Sequence, residues 1–160
     1  MKRITNETEV EVEIGCNIGI STTIPVFDHL LEQLSKWGDF PLKVEATGDN
    51  YHHIVEDVGI CLGRLLKPHK ERVSHAIVPM DDALVMVCVD FSGRGHADIE
   101  LPIGFLEQLD SHILIHFFET VAREGKFNLH IITFRGSNNH HIAEAAFKAF
   151  GKAISQSLRW

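Results

Sequence analysis

The sequence predicts a two-layer α+β sandwich built from an internally duplicated strand-helix lobe, with the helices on one face of a mostly antiparallel sheet. Two observations predict it. The motif HHxxE occurs as HHIVE at 52–56 and again as HHIAE at 140–144. Around both motifs, helical and strand periodicities follow one another in the same order. With 160 residues, 44% of them hydrophobic, the chain has enough apolar material for one compact core.

The duplication covers approximately residues 27–66 and 114–154, and one inserted residue is enough to align the two copies. Outside the HHxxE motifs, the matched pairs are His29 with His116, Glu32 with Glu119, Gly38 with Gly125, Phe40 with Phe127, Gly48 with Gly136, and Gly63 with Gly151. A repeat of this kind indicates the architecture before any single element is assigned. No linker separates the copies, so we predict a single domain over residues 1–160.

Four helices are predicted in order along the chain. Apolar residues recur at helical spacing in 27–37 and 112–124, where Asp28 and Asp110 are available as caps and a glycine follows each segment. Two more amphipathic segments begin with the histidine pairs and run through 52–66 and 140–158.

Strands are predicted where apolar and polar residues alternate or where a short apolar run is bounded by turn residues. These segments are 8–15, 40–47, 83–91, 96–101 and 127–134. We expect 96–101 to pair beside 83–91, the preceding strand.

Composition excludes several classes of protein. The apolar runs are too short to cross a membrane, and the N-terminus lacks the apolar stretch of a secretory signal, so we expect a soluble cytoplasmic protein without a membrane partner. A formal charge of −7 and scattered basic residues argue against nucleic acid. Cys16, Cys61 and Cys88 lack metal-type spacing and are odd in number, so we interpret them as reduced core residues.

The histidine pairs predict metal binding. A helix turns by about 100° per residue, so His52 and Glu56 share a face while the adjacent His52 and His53 point well apart. Neighbouring histidines therefore serve two different metals, or one of them reaches another subunit. The candidate ligands are His29, His52, His53, Glu56, His116, His140, His141 and Glu144.

These eight residues divide into two sites of three histidines and one glutamate. Nitrogen and carboxylate oxygen without thiolate suit Mn, Fe or Zn, and four protein ligands leave an octahedral ion two open positions for substrate or water. The arrangement therefore indicates catalysis. Five histidines have no counterpart in the other copy and are interpreted as surface or packing residues: His69, His75, His96, His112 and His130.

The strings PVFDHLLEQL, HHIVED, VPMDDAL, VDFSGR, HFFETVA and GSNNHHIAEAAFKAF together resemble the imidazoleglycerol-phosphate dehydratase family, over about residues 3–154. The resemblance implies an enzyme that dehydrates imidazoleglycerol phosphate to imidazole-acetol phosphate in histidine biosynthesis. It also implies two Mn(II) ions per active site, and trimers that assemble into a 24-subunit particle with active sites between subunits.

Carried over residue by residue, the resemblance makes all eight candidate ligands the metal ligands of the family. It implies that Arg72, Arg94 and Lys148 bind the substrate phosphate, for which guanidinium and ammonium groups are suited. It further implies that Glu7 is the acid/base of a metal-assisted elimination.

Departures from the family pattern keep other functions open. Trp37 stands where the family has a histidine near the substrate, Asn50 and Tyr51 replace a doubled aspartate, and a serine-lysine-glycine tail does not follow Trp160. From these we expect a looser phosphate pocket. The alternatives are a non-catalytic or re-purposed di-metal-binding oligomeric relative, and a di-metal hydrolase of another phosphorylated imidazole.

Overall fold

A computed structural model describes residues 1–15, 18–67, 72–102 and 104–158. The first half of the chain forms β1 (Lys2–Ile4), β2 (Thr8–Ile14), β3 (Gly19–Ser21), α1 (Pro25–Gly38), β4 (Leu42–Gly48) and α2 (Tyr51–Leu65). The second half forms β5 (Val73–Met80), β6 (Ala83–Asp90), β7 (His96–Glu100), β8 (Phe105–Leu106), β9 (Leu109–Asp110), α3 (Ser111–Gly125), β10 (Asn128–Arg135) and α4 (Asn139–Ser157).

The two halves build sheets with the same strand order. The first sheet runs β1-β2-β4-β3 and the second β5-β6-β10-β7, while β8 and β9 form a separate hairpin. In each sheet the last pair, β3 with β4 or β7 with β10, is parallel and is joined through a helix, and the other pairs are antiparallel. The α+β prediction, with helices on one face of mostly antiparallel sheet, is confirmed.

One predicted pairing is wrong. The segment 96–101 was expected beside 83–91, but β10 lies between β6 and β7 and pairs with both. The chain leaves β7 through the β8–β9 hairpin and α3, and the strand that returns fills the position next to β6. Strand β5, which was not predicted, occupies the outer edge on the other side of β6.

Of the two predicted helix caps, one is confirmed and the other is wrong. Asp110 caps α3, since its carboxylate accepts a hydrogen bond from the His112 backbone N–H at 2.9 Å. The prediction for Asp28 is wrong: Ile24 is the N-cap of α1, and Asp28 sits in the first turn and accepts the Thr22 backbone N–H at 2.8 Å. Proline at the first helical position, which has no N–H to satisfy, starts this helix instead.

Each sheet covers its own pair of helices with one face and turns the other outward. On the outer face of the first sheet the side chains are largely charged, including Lys43, which pairs with Glu11 at 3.3 Å. On the second sheet the outward residues of β5 include Val73 and Ile77, which are 64% and 53% exposed. The two outer surfaces therefore differ in kind, although the sheets have the same topology.

The lobes meet through their helices, and each helix packs on a helix from the other half of the chain. Helix α1 lies against α4, and α2 lies against α3. The Phe117 ring of α3 stacks on Phe147 of α4 at a centroid distance of 5.5 Å and meets Phe27 of α1 edge-on at 5.4 Å. These buried aromatic rings bind the halves into one core.

Glycines allow the paired helices to approach closely. A Cβ at Gly151 of α4 would lie 2.5 Å from the Leu34 carbonyl oxygen of α1, and one at Gly63 of α2 would lie 2.6 Å from the Val121 carbonyl oxygen of α3. The two positions are equivalent in the repeat, so both crossings depend on the same missing side chain.

The remaining expectations concern cysteines, histidines and membrane spans. Cys61 is a buried free thiol, whereas Cys88 is half-buried because it points to the outer face of β6. Of these two cysteines, Cys61 is therefore the core residue. Cys16 and His69 lie outside the described residues. The other four unmatched histidines are exposed: His75, His96, His112 and His130. Within the described ranges, none of the helices combines the length and the hydropathy needed to cross a membrane.

We predict that Gly151→Ala lowers the free energy of unfolding by about 1 to 3 kcal/mol, because the added methyl group overlaps the α1 backbone. In a helix without a close neighbour, Gly→Ala raises the free energy of unfolding by up to about 1 kcal/mol. The sign of the change therefore shows whether the two helices cross closely at this glycine. Urea denaturation measures the effect. Gly19→Ala, where an added Cβ meets nothing within 4 Å, is the matched control. Equal or greater stability of Gly151→Ala would contradict the close crossing.

Candidate metal centre

Both HHxxE motifs begin in the first turn of a helix. Asn50 caps α2 by accepting the His53 N–H at 3.0 Å, and Asn138 caps α4 by accepting the His141 N–H at 3.1 Å. The two caps hold equivalent positions in the repeat, so each helix presents its histidine pair in the same way. Asn50, which stands where the family resemblance implies an aspartate, thus serves as the N-cap of α2.

Three of the predicted ligands form a first triad: His29 of α1 with His140 and Glu144 of α4. The Nε2 atom of His29 lies 3.0 Å from Glu144 Oε2, and the Nε2 atom of His140 lies 3.2 Å from the same oxygen. The rings of the two histidines are 5.4 Å apart between centroids. Glu144 is buried, and the imidazoles are half-buried.

Three more form a second triad: His116 of α3 with His52 and Glu56 of α2. The Nε2 atoms of His116 and His52 lie 3.2 Å and 3.7 Å from oxygens of Glu56. The two rings stack with their centroids 5.0 Å apart. In each triad the donor atoms lie within 4.8 Å of one another.

Each triad therefore combines the two halves of the chain. The single histidine comes from the first helix of one half, and the histidine and glutamate come from the second helix of the other half. The pairing of α1 with α4 and of α2 with α3 brings these residues together. Imidazole nitrogens and a carboxylate oxygen facing one point are a donor set that fits a divalent transition metal ion.

The second histidine of each pair, His53 or His141, joins neither of these two triads; His53 lies instead with Glu7 and Asp49 in a third group of possible ligands. The His53 ring is inclined at 78° to the His52 ring, and the His141 ring at 88° to the His140 ring. The structure thus places six of the eight predicted ligands in two groups of three and turns the other two elsewhere. This agrees with the divergence that helical geometry predicts for adjacent residues.

Aspartates hold the two divergent histidines by Nδ1. His53 Nδ1 lies 2.7 Å from Asp49 Oδ1, and His141 Nδ1 lies 2.6 Å from Asp82 Oδ1. A carboxylate at Nδ1 fixes the ring orientation and makes Nε2 the metal-binding atom, a common arrangement around metal ligands. In His141 that Nε2 atom also lies 3.3 Å from Asp81 Oδ2. The bond to Asp49 raises the pKa of His53 and lowers the pKa of Asp49.

No sequence pattern predicts a role for these aspartates. Asp82 lies in the VPMDDAL segment, which contributed to the family resemblance, and it also accepts hydrogen bonds from the Ser137 and Asn138 backbone N–H groups at 2.7 and 3.1 Å. These backbone bonds and the contact with His141 hold the pKa of Asp82 far below its usual range. The β5–β6 turn and the start of α4 are thereby joined.

Glu7, the predicted acid/base, lies in the turn between β1 and β2 rather than on a strand. Its side chain is 57% exposed, and its Oε2 atom is 3.6 Å from His53 Nδ1. The backbone of the turn is tied to the start of α2, because the Glu7 carbonyl accepts the Asp49 N–H at 3.0 Å. Glu7 therefore stands beside a predicted metal ligand.

The three predicted phosphate-binding residues are not brought together within one chain. Arg72 pairs with Asp90 at 2.7 Å at the beginning of β5, and Arg94 is exposed in the loop after β6. Lys148 lies at the other end of β5, with Nζ 3.3 Å from Met80 Sδ. An eight-residue strand separates the two ends by about 25 Å.

Opposing effects determine the pKa of Glu144, the glutamate of the first triad. Burial acts to raise the pKa of Glu144, but hydrogen bonds from His29 and Lys148 outweigh it and lower that pKa to about 2. The carboxylate is therefore ionised at neutral pH, as a metal ligand must be.

Comparison with known proteins decides the family. The model of the imidazoleglycerol-phosphate dehydratase family matches residues 22–154, which is most of the chain and contains all eight predicted metal ligands. The chain belongs to the imidazoleglycerol-phosphate dehydratase family.

Individual relatives agree with this assignment. The imidazoleglycerol-phosphate dehydratase of Desulforudis audaxviator is 40% identical over 99% of this chain and 89% of its own length, and that of Archaeoglobus fulgidus is 42% identical over 98% and 89%. The crystal structure of the Pyrococcus furiosus imidazoleglycerol-phosphate dehydratase matches with a TM-score of 0.92 at 40% identity, covering 98% of this chain and 92% of that one. The Staphylococcus aureus enzyme matches with a TM-score of 0.87 at 29% identity, covering 99% and 96%.

We predict that Asp82→Asn lowers the melting temperature of the metal-free protein at pH 7, because the charged acceptor at the start of α4 is lost. The folded-state pKa of Asp82 is depressed, so its stabilising effect is complete above the unfolded pKa of about 4 and declines as the pH falls below that value. Melting curves from pH 7 down to pH 3.5 should show the difference between wild type and variant starting to narrow at the acidic end. Asp98→Asn, at a 75% exposed side chain on β7, is the control. A constant difference across this pH range would contradict the assignment.

Proposed function

We propose that this chain dehydrates imidazoleglycerol phosphate to imidazole-acetol phosphate with two divalent metal ions, and that Mn(II) is the resident ion. Family membership makes the chain a hydro-lyase of histidine biosynthesis. The observation that carries the metal requirement is the pair of equivalent triads, each with two imidazole Nε2 atoms and one carboxylate facing one point. Mn(II) suits this nitrogen and oxygen donor set; Fe and Zn are substitutes that the same donors accept.

We propose that the third histidine of each site comes from a neighbouring subunit. Within the described residues, His53 and His141 join neither triad, yet an aspartate orients each of them through Nδ1, so that Nε2 is the atom that would bind a metal. A three-histidine, one-glutamate site is then completed only between chains. The exposed apolar side chains on the outer face of the second sheet, Val73 and Ile77, also support burial against another copy.

The assembly that follows from the family is a trimer that associates into a 24-subunit particle. Reciprocal metal ligation, in which each chain both gives and receives a histidine, links metal loading to subunit contact. We further place the protein in the cytoplasm, where reducing conditions keep Cys61 and Cys88 as thiols.

In the proposed reaction, Glu7 moves the protons. Divalent ions held by the two triads would supply Lewis acidity toward the substrate imidazole, which would promote loss of the hydroxyl on the adjacent carbon. Glu7 removes the proton from the next carbon and passes it to the departing hydroxide, which leaves as water. The resulting enol then ketonises to imidazole-acetol phosphate. The exposed Glu7 carboxylate beside His53 supports this role, since it adjoins a metal ligand without being held by an ion pair to a lysine or arginine among the described residues.

Substrate phosphate is assigned to Arg72, Arg94 and Lys148. Because Arg72 and Lys148 lie at opposite ends of β5, we propose that residues from different subunits meet at one phosphate. The ion pair of Arg72 with Asp90 keeps its guanidinium oriented on the surface.

The deciding experiment is turnover of imidazoleglycerol phosphate by the purified chain after chelation, with and without added Mn(II). Manganese-dependent formation of imidazole-acetol phosphate is expected. Tight metal binding and intact assembly without turnover would contradict the dehydratase and favour a non-catalytic relative.

We predict that Glu7→Gln lowers kcat by about 10² to 10⁴-fold, because the general acid/base is lost, while Mn(II) binding is retained. Steady-state kinetics with saturating Mn(II) measures the effect. Glu9→Gln, on the adjacent strand where Glu9 pairs with Lys2, is the matched control and should keep wild-type kcat. Full activity of Glu7→Gln would remove Glu7 from the mechanism.

We predict that His53→Ala and His141→Ala each reduce bound Mn(II) to about half and dissociate the particle, although both triads remain intact within the chain. Metal analysis and light scattering on a sizing column measure the two effects together. His112→Ala, at an exposed histidine outside both triads, should change neither. Wild-type metal content in the His53 and His141 variants would show that the triads bind metal without a partner subunit.

A further inference from the structure

The two triads occupy equivalent places in the repeat, yet their glutamates have different surroundings. Only 7% of the Glu144 side chain is exposed, against 31% for Glu56. Both residues follow the first histidine of their motif by one helical turn. The difference therefore comes from the neighbours of the motif, not from the motif itself.

The two oxygens of Glu144 face different groups. Oε2 points into the first triad, 3.0 Å from His29 Nε2 and 3.2 Å from His140 Nε2. Oε1 accepts the Lys148 ammonium at 2.6 Å. One oxygen is thus directed at the metal position, and the other is held by a cation.

Both oxygens of Glu56 face the second triad. Oε1 lies 3.2 Å from His116 Nε2, and Oε2 lies 3.7 Å from His52 Nε2. In the part of the chain that the structure describes, these two histidines are the ion-pair partners of Glu56. The residue one turn further along α2, equivalent to Lys148, is Ile60, a buried apolar side chain.

Lys148 is fixed where it can act on Glu144. Its side chain is 10% exposed, and its ammonium lies 3.3 Å from Met80 Sδ and 5.3 Å from the centroid of the Trp37 ring. A cation over an aromatic face is stabilised but not neutralised. Among the described residues, Glu144 is the only carboxylate that pairs with Lys148.

Trp37 itself breaks the symmetry of the repeat. The position equivalent to Trp37 in the other half is Glu124, which pairs with Arg64 at 2.8 Å. In the first half, Trp37 contacts Lys148 and Lys152 through its ring and offers no carboxylate. The Lys148 charge is therefore directed to the triad glutamate.

We infer that Lys148 makes the two metal sites unequal: by holding one oxygen of Glu144 it leaves a single oxygen for the ion of the first triad, and its charge repels that ion. Lys148 is in this sense a positioning residue for Glu144. The first triad binds a divalent cation more weakly than the second, whose glutamate offers both oxygens. This inference rests on the proposed function, because it takes the triads as metal sites.

The test is Mn(II) titration of the full-length, chelated protein in phosphate-free buffer without substrate, followed by the electron paramagnetic resonance signal of free Mn(II). Wild type should show two classes of site whose dissociation constants differ by about tenfold or more, as expected for a unit charge near a divalent ion. Lys148→Met, which keeps an unbranched side chain but removes the charge, should tighten the weaker class and merge the two.

Two further variants separate this effect from loss of structure. Lys152→Met removes the other lysine on Trp37, which does not contact Glu144, and should leave both classes unchanged. Ile60→Lys places an ammonium one turn after Glu56 and should weaken the tighter class. Melting curves show which variants are folded. If Ile60→Lys does not fold, the comparison of Lys148→Met with Lys152→Met alone tests the inference.

Two equal classes in wild type, or an unchanged or weaker affinity in Lys148→Met, would overturn the inference and leave the dehydratase proposal standing. Absence of Mn(II) binding by wild type would instead refute the metal requirement on which both depend.

Discussion

The close crossing of helices from opposite halves of the chain is the contact on which the rest of the structure depends. At Gly151 and Gly63 the absence of a side chain lets α4 approach α1 and lets α2 approach α3. That approach places the lone histidine of one half opposite the histidine and glutamate of the other. Without it, each half would carry an incomplete set of donors on its own helices.

Helical geometry then limits what one chain can do by itself. The first histidine of each HHxxE motif lies one helical turn before the glutamate, and the adjacent second histidine points well away from the first. The structure gives the second histidine an orienting aspartate, which is Asp49 within the first copy of the repeat or Asp82 outside both copies. Two unrelated local solutions to the same task fit the proposal that these histidines bind metal across a subunit boundary.

The duplication sets a symmetric framework from which several features depart. Strand order, the asparagine caps of α2 and α4, and the triads repeat in both halves. The outer sheet faces do not, since the first is largely charged and the second includes exposed apolar residues of β5, and neither do the surroundings of the two glutamates. A substrate with an imidazole ring at one end and a phosphate at the other is itself asymmetric, so a site built from two equal halves must lose its symmetry to orient it.

The sequence by itself determined the fold class, the four helices, most of the strands and the residue types available as ligands. These follow from periodicity within short segments and from the repeat, both of which are local. Two predictions made from local sequence were wrong because tertiary contacts decided the outcome. Asp28 does not cap α1, and the strand at 96–101 pairs with β10 instead of β6. The role of Asp82 could not be predicted, because its partner His141 is 59 positions away.

Only the tertiary structure decided which histidine joins which glutamate. His29 and Glu144 are 115 positions apart, and periodicity within either helix contains no information about the other. Packing of the aromatic core and the close approach at glycine select α4, rather than the adjacent α2, as the partner of α1. The candidate ligands can therefore be identified from the sequence, but their grouping into triads is a consequence of how the two halves pack.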